Sequence, residues 1–172
     1  SLVGSEMCIR DSLEINQMEF AWNHMHRYSV IAHEYFHVWQ KSHAPDVIEI
    51  KWLSEGAAAT LESIYVQEHY SYDYFSSAQE PNLSNQVIQT PSLYESYDAS
   101  GGDLDVNYSG SVFLTLVLAK ELKNKGLTET QAFRKILKDF YLLKPDSKNW
   151  KNKFEEIFLI STDSFYEACL LY

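Results

Sequence analysis

Two histidines four residues apart constrain the fold of this chain most strongly, because they enclose a glutamate in the string His33-Glu34-Tyr35-Phe36-His37. On an α-helix this spacing separates the two histidines by about 40° around the axis and about 6 Å along it. Both imidazoles can then bind one tetrahedral zinc ion. Glu34 lies at the side of such an ion, where a carboxylate can take a proton from a water molecule. The string therefore predicts a helix that carries a zinc site.

A hydrolytic zinc site needs a third protein ligand, and the sequence offers two candidates. His43 lies six residues after His37, the spacing of the metzincin pattern, but Gln40 stands where that pattern has a glycine to turn the chain. Glu55 lies eighteen residues after His37, on a second predicted helix that can pack beside the first. Two histidines and one glutamate leave a coordination position open for water, as in hydrolytic sites. The pattern favours Glu55 and leaves His43 as the alternative.

Apolar residues recur at helical spacing along most of the chain, and no segment shows strong strand alternation. The three longest predicted helices cover about residues 18–41, 52–70 and 108–125. Thr128 with Gln131 predicts a capping box for a fourth helix, and Ser164 with Glu167 is expected to cap the last one. Residues 71–107 have no clear period and are predicted to be a long irregular segment. The expected fold class is therefore mainly α.

Together these motifs resemble those of the gluzincin zinc metallopeptidases, the group that contains thermolysin and the aminopeptidase-N-like and glycyl-aminopeptidase-like families. The resemblance rests on H-E-x-x-H, on Trp52-Leu53-Ser54-Glu55-Gly56-Ala57-Ala58 and on Tyr108-Ser109-Gly110, and it covers about residues 28–126. It implies an active-site helix and the helical lobe of a gluzincin, with the preceding β-lobe largely missing. For the site it implies zinc ligation by His33, His37 and Glu55, general-base action by Glu34, and stabilisation of the oxyanion by Tyr108.

The chain also departs from that group. Ala59 stands where thermolysin-like members have an aspartate that orients a histidine, which disfavours that branch. Glu62, two turns after Glu55 on the same helix face, is expected to hydrogen-bond a zinc-bound histidine instead. Nothing in the sequence matches the G-x-M-E-N segment with which the aminopeptidase branch reads a free amine. The resemblance therefore leaves exopeptidase and endopeptidase action open.

Composition and weaker motifs exclude several other functions. With 14 basic and 24 acidic residues, the net charge of −10 opposes phosphate contacts, so nucleic acid is not expected as a partner. No apolar run approaches the roughly eighteen residues of a membrane span. Asp103 to Asn107 has the opening spacing of a calcium loop, but Tyr108 replaces its required glycine. Two cysteines exclude a disulfide scaffold, and Cys169 is predicted to be a small core residue.

The first twelve residues resemble the translation of a sequencing adapter and are set apart from the fold. We therefore expect residues 13–172 to be a fragment of a metallopeptidase catalytic domain, with full activity only in a longer parent protein. The leading function is zinc-dependent hydrolysis of a peptide or protein substrate. The alternative is a non-catalytic member, zinc-bound or metal-free, that acts as a binding scaffold. Glu34 argues against this alternative, because zinc binding alone does not need that carboxylate.

Overall fold

The computed structural model describes residues 24–97 and 106–172, and for residues 24–27 and 48 it describes the backbone alone. These residues form helices and helical turns, with no strand in the described ranges, which confirms the mainly α prediction. The α-helices are α1 (His24–His43), α2 (Lys51–Tyr70), α3 (Gln86–Gln89), α4 (Tyr108–Asn124), α5 (Glu129–Arg134), α6 (Phe140–Leu142), α7 (Trp150–Phe158) and α8 (Thr162–Cys169). Short 3-10 or π turns occupy Pro45–Glu49, Phe75–Gln79, Glu80–Asn82, Pro91–Glu95 and Lys135–Asp139.

The long helices end within two residues of their predicted positions. The chain leaves α1 at His43, and Pro45 opens a 3-10 turn that leads into α2, because proline has no N–H with which to continue a helix. The predicted start of the first helix at residue 18 lies outside the described residues. Among these residues, no helix is both long enough and apolar enough to cross a membrane.

The centre of the fold is α2, because α1 and α4 both pack against it. All residues from 52 to 60 are buried. Gly56 permits the approach of α4, since a Cβ at this position would lie 2.4 Å from the carbonyl oxygen of Ser111 and 2.9 Å from Thr115 Oγ1. The first turn of α4 is thereby held against the part of α2 that carries Glu55.

The buried face of α1 is largely polar. It consists of Ser29, His33, Phe36 and Gln40, which follow one another at helical spacing. The apolar residues on this helix lie elsewhere: Ile31, Tyr35 and Val38 are 60%, 75% and 51% exposed. Their spacing correctly indicated a helix, but the face that they form points away from the described core.

The C-terminal helices close an aromatic core against the start of α2. Trp52 stacks on Phe165 with 5.4 Å between ring centroids, and Phe140 stacks on Phe158 at 5.6 Å. The lysine side chains of Lys125 and Lys135 reach the carbonyl groups at the end of α7. Cys169 is buried in this core, as predicted.

Two local predictions need correction and one is confirmed. The capping box of Thr128 and Gln131 is present. The expected cap at Ser164 was wrong, because Ser161 caps α8 by accepting the N–H of Ser164 at 3.1 Å. A serine hydroxyl can cap a helix without a glutamate three residues later, so the pair Ser164 and Glu167 was a misleading signal. Residues 71–97 were expected to be irregular, but most of them form α3 and short helical turns.

Candidate metal centre

His33 and His37 lie one turn apart on α1 and present their imidazoles to the same point. Their Nε2 atoms are 3.0 Å apart, and the rings meet edge to face with 4.7 Å between centroids. The turn after α1 is short, so α2 returns beside it and brings Glu55 to this pair. Glu55 Oε2 lies 3.1 Å from His37 Nε2 and 3.5 Å from His33 Nε2. The structure therefore brings together the three residues that the sequence indicated as ligands.

The spacing of these three atoms matches what a small tetrahedral cation requires. An ion about 2.0–2.1 Å from each ligand separates tetrahedral ligand atoms by about 3.4 Å. The observed separations of 3.0, 3.1 and 3.5 Å lie close to that value. Among the described residues, His33, His37 and Glu55 are the one group of three or more histidine, cysteine or acidic side chains that could hold a metal ion.

The charges of the side chains in the cluster suit the binding of a cation. Burial alone lowers the pKa of His33, but the contacts with Glu55 and Glu62 outweigh it and raise that pKa to about 9. Burial also raises the pKa of Glu55, whereas the hydrogen bonds and charges of His33 and His37 hold it well below its usual range. A carboxylate thus stays ionised in a buried place. A metal ion that binds to His33 would therefore have to displace a proton from its ring.

Glu62 lies behind His33, but the hydrogen bond that was expected between them is not formed. Its Oε2 is 3.3 Å from His33 Nδ1, within ion-pair range although outside hydrogen-bond geometry, and its Oε1 accepts a hydrogen bond from Ser29 Oγ at 2.8 Å. Carboxylates in this position orient a ligating imidazole and increase its basicity. Ser29 was missed by the sequence reading, although its place one turn before His33 on the same face of α1 could have indicated it.

Glu34 follows His33 on α1, and its side chain is half-buried. Among the described residues, no partner engages the carboxylate of Glu34 through a hydrogen bond or an ion pair.

Three tyrosines surround the start of α4 near the cluster. Tyr108 is the first residue of α4, is 37% exposed, and has its ring centroid 6.1 Å from that of His33. The hydroxyl of Tyr97 is 2.8 Å from Ser111 Oγ, and burial together with the charge of Glu55 raises its pKa. Tyr94 is fully buried against Gly110, so its ring supports the backbone of α4. Tyr108 is therefore the tyrosine of the three that combines a ring contact to a ligand with an exposed side chain.

The alternative third ligand, His43, lies away from the cluster. Its ring packs on Trp39 with 4.6 Å between centroids, and its Nδ1 is 2.9 Å from the Trp39 carbonyl oxygen. The weaker calcium motif spans residues 103 to 107, of which 103 to 105 lie outside the described residues. Its last member, Asn107, caps α4 by accepting the N–H of Gly110 at 3.0 Å.

Comparison with known proteins adds nothing to this geometry. No protein-family model, curated protein or solved structure matches the chain.

Proposed function

We propose that this chain carries the active site of a zinc-dependent peptidase. The observation that carries the proposal is the convergence of His33, His37 and Glu55, whose ligand atoms lie 3.0–3.5 Å from one another. Two imidazoles and a carboxylate suit zinc, and three protein ligands leave a position open, as in hydrolytic and not in structural sites. Glu34 adjoins the first ligand and is not engaged by another described residue.

Each residue then has a defined task. A zinc ion held by His33, His37 and Glu55 would supply Lewis acidity towards a carbonyl group and towards water. Glu34 takes the proton from the attacking water and passes it to the leaving amine. The hydroxyl of Tyr108 donates a hydrogen bond to the oxyanion that develops on the carbonyl oxygen. Glu62, held by Ser29, orients the ring of His33.

Zinc content after dialysis tests the ligand set. The unmodified chain should retain about one zinc ion, and Glu55→Ala should lose it because the carboxylate ligand is gone. His43→Ala is the matched control, since His43 lies on the same helix but packs on Trp39. Circular dichroism checks that both variants fold. If His43→Ala lost its zinc and Glu55→Ala kept it, the third ligand would be His43 and the basis of the proposal would be removed.

Glu34→Gln separates metal binding from catalysis. This variant should keep its zinc, because glutamine fills the same space. It should lose peptide hydrolysis by about 10²–10⁴-fold, because glutamine cannot act as a base. Equal turnover by the variant and the unmodified protein would exclude Glu34 from the mechanism. A zinc-loaded unmodified protein that cleaves no peptide in a complex mixture would instead favour the binding scaffold.

A further inference from the structure

Gln40 occupies a buried position between three helices and joins them through its side chain. It lies on α1 three residues after His37 and is fully buried. Its Oε1 is 2.7 Å from His37 Nδ1. Its Nε2 donates to Tyr141 Oη on α6 at 2.8 Å and to the Ser54 carbonyl oxygen on α2 at 3.2 Å. Every polar atom of the amide therefore has a partner.

The direction of each hydrogen bond in this network follows from one main-chain carbonyl. Tyr141 Oη lies 2.7 Å from the Leu53 carbonyl oxygen, which can only accept, so the tyrosine uses its single proton there. Towards Gln40 the same hydroxyl can only accept, so the NH₂ group of the amide faces it. The amide oxygen then faces His37 and accepts a hydrogen bond from His37 Nδ1–H.

We propose that Gln40 and Tyr141 are positioning residues that hold His37 in its metal-binding tautomer. A hydrogen on Nδ1 leaves the lone pair of the neutral ring on Nε2, the atom that lies 3.1 Å from Glu55 Oε2 and 3.0 Å from His33 Nε2. The importance of that tautomer rests on the proposed zinc site. The assignment of a proton to Nδ1 rests only on the hydrogen bonds among His37, Gln40, Tyr141 and Leu53. Nε2 faces the Glu55 carboxylate, so in the metal-free chain it can carry a second proton, which a metal ion would replace.

The same network also fixes the distance between the two ligand-bearing helices. Leu53 and Ser54 precede Glu55 in the first turns of α2, and their carbonyl oxygens accept from Tyr141 and Gln40. A side chain that contacts His37 at one end and the backbone next to Glu55 at the other sets the separation of these ligands. The two histidines are thus supported differently, His33 by a carboxylate and His37 by a neutral amide.

Two variants and one spectroscopic measurement test this role. Tyr141→Phe removes a single hydroxyl and keeps the ring, and Gln40→Leu removes the amide. Loss of such support typically weakens zinc affinity by about 10–100-fold, and we expect this range for both variants in chelator competition. Ser42→Ala is the control, because Ser42 lies on α1 and its hydroxyl bonds only to Trp39 and His43. Its zinc affinity should stay within about twofold of the unmodified chain.

The tautomer is read in the metal-free chain from two-bond nitrogen–proton NMR correlations of His37 at mildly alkaline pH. The unmodified chain should show the proton on Nδ1, and Tyr141→Phe should shift population to Nε2–H. A purely structural role would lower thermal stability without moving this population. A neutral His37 ring with its proton on Nε2 and none on Nδ1 in the unmodified chain would overturn the proposal, even if neither variant folds. Unchanged zinc affinity and an unchanged tautomer in folded variants would overturn it equally. Absence of zinc binding with the proton on Nδ1 would refute the proposed function and leave the tautomer assignment standing.

Discussion

Replacement of Gly56 by alanine tests the close approach of α2 and α4. The new Cβ would lie 2.4 Å and 2.7 Å from the carbonyl oxygen and carbon of Ser111, and 2.9 Å from Thr115 Oγ1. Alanine gains about 1 kcal/mol of helix propensity over glycine. Overpacking of a close contact costs about 1–3 kcal/mol, and the upper end applies because backbone atoms of Ser111 cannot rotate away. We therefore expect a net destabilisation of about 2 kcal/mol.

Thermal unfolding of the chain measures this balance. For a domain of this size, about 2 kcal/mol lowers Tm by about 4–8 °C. The substitution also pushes α4 and Tyr108 away from α2, so the proposed peptide hydrolysis should fall. Zinc affinity should change much less, because all three ligands lie on α1 and α2.

Gly126→Ala provides the comparison for a glycine that is not in a close contact. Gly126 has a φ of 97° and nothing within 4 Å of a Cβ at that position, so alanine there adds backbone strain without moving α4. It should lower Tm and leave hydrolysis unchanged. A Tm for Gly56→Ala equal to or above that of the unmodified chain would mean that helix propensity outweighs the contact, and would refute the close approach.

Two further predictions concern the site itself. Tyr108→Phe should lower kcat by about 10²–10³-fold and change KM little, because the proposed role of the hydroxyl is to stabilise the oxyanion. A larger loss of kcat in Tyr97→Phe than in Tyr108→Phe would assign that role to Tyr97. Zinc affinity should depend on pH through His33, whose pKa of about 9 in the metal-free protein means that it must lose a proton to ligate. The apparent zinc affinity should weaken about tenfold for each pH unit below that pKa and level off above it. Calorimetric titrations with zinc that detect no proton release near pH 7 would contradict His33 as a ligand that must first lose a proton.

The convergence of His33, His37 and Glu55 could be predicted from the sequence because their geometry is local. The positions of His33 and His37 on one helix turn depend only on helix periodicity, and the short turn after α1 leaves α2 few ways to return. Glu62 was predicted for the same reason, since it shares a face of α2 with Glu55. Ser29 and Gln40 also lie on the face of α1 that carries His33, so periodicity could have placed them near the site.

Other features could not be read from the sequence because distant parts of the chain decide them. Nothing around Tyr141 marks it as the partner of Gln40, 101 residues earlier. The spacing of Ile31 and Tyr35 indicated a helix but not which face is buried, and hydrogen-bonded partners allow α1 to bury its polar face. The cap at Ser161 was missed because one hydroxyl leaves a weaker pattern than a capping box.

The contrast between the ligand cluster and its support has a consequence for the order in which the site forms. His37 and Glu55 are 18 residues apart, whereas Gln40 and Tyr141 are 101 residues apart. Loop-closure entropy grows with the logarithm of this separation, so the long-range contact costs about 1.5 kcal/mol more to close. During synthesis from the N-terminus, the whole ligand set also leaves the ribosome before Tyr141 does. The helical hairpin that holds the ligands can therefore form first, and the hydroxyl that sets the tautomer of His37 joins it last.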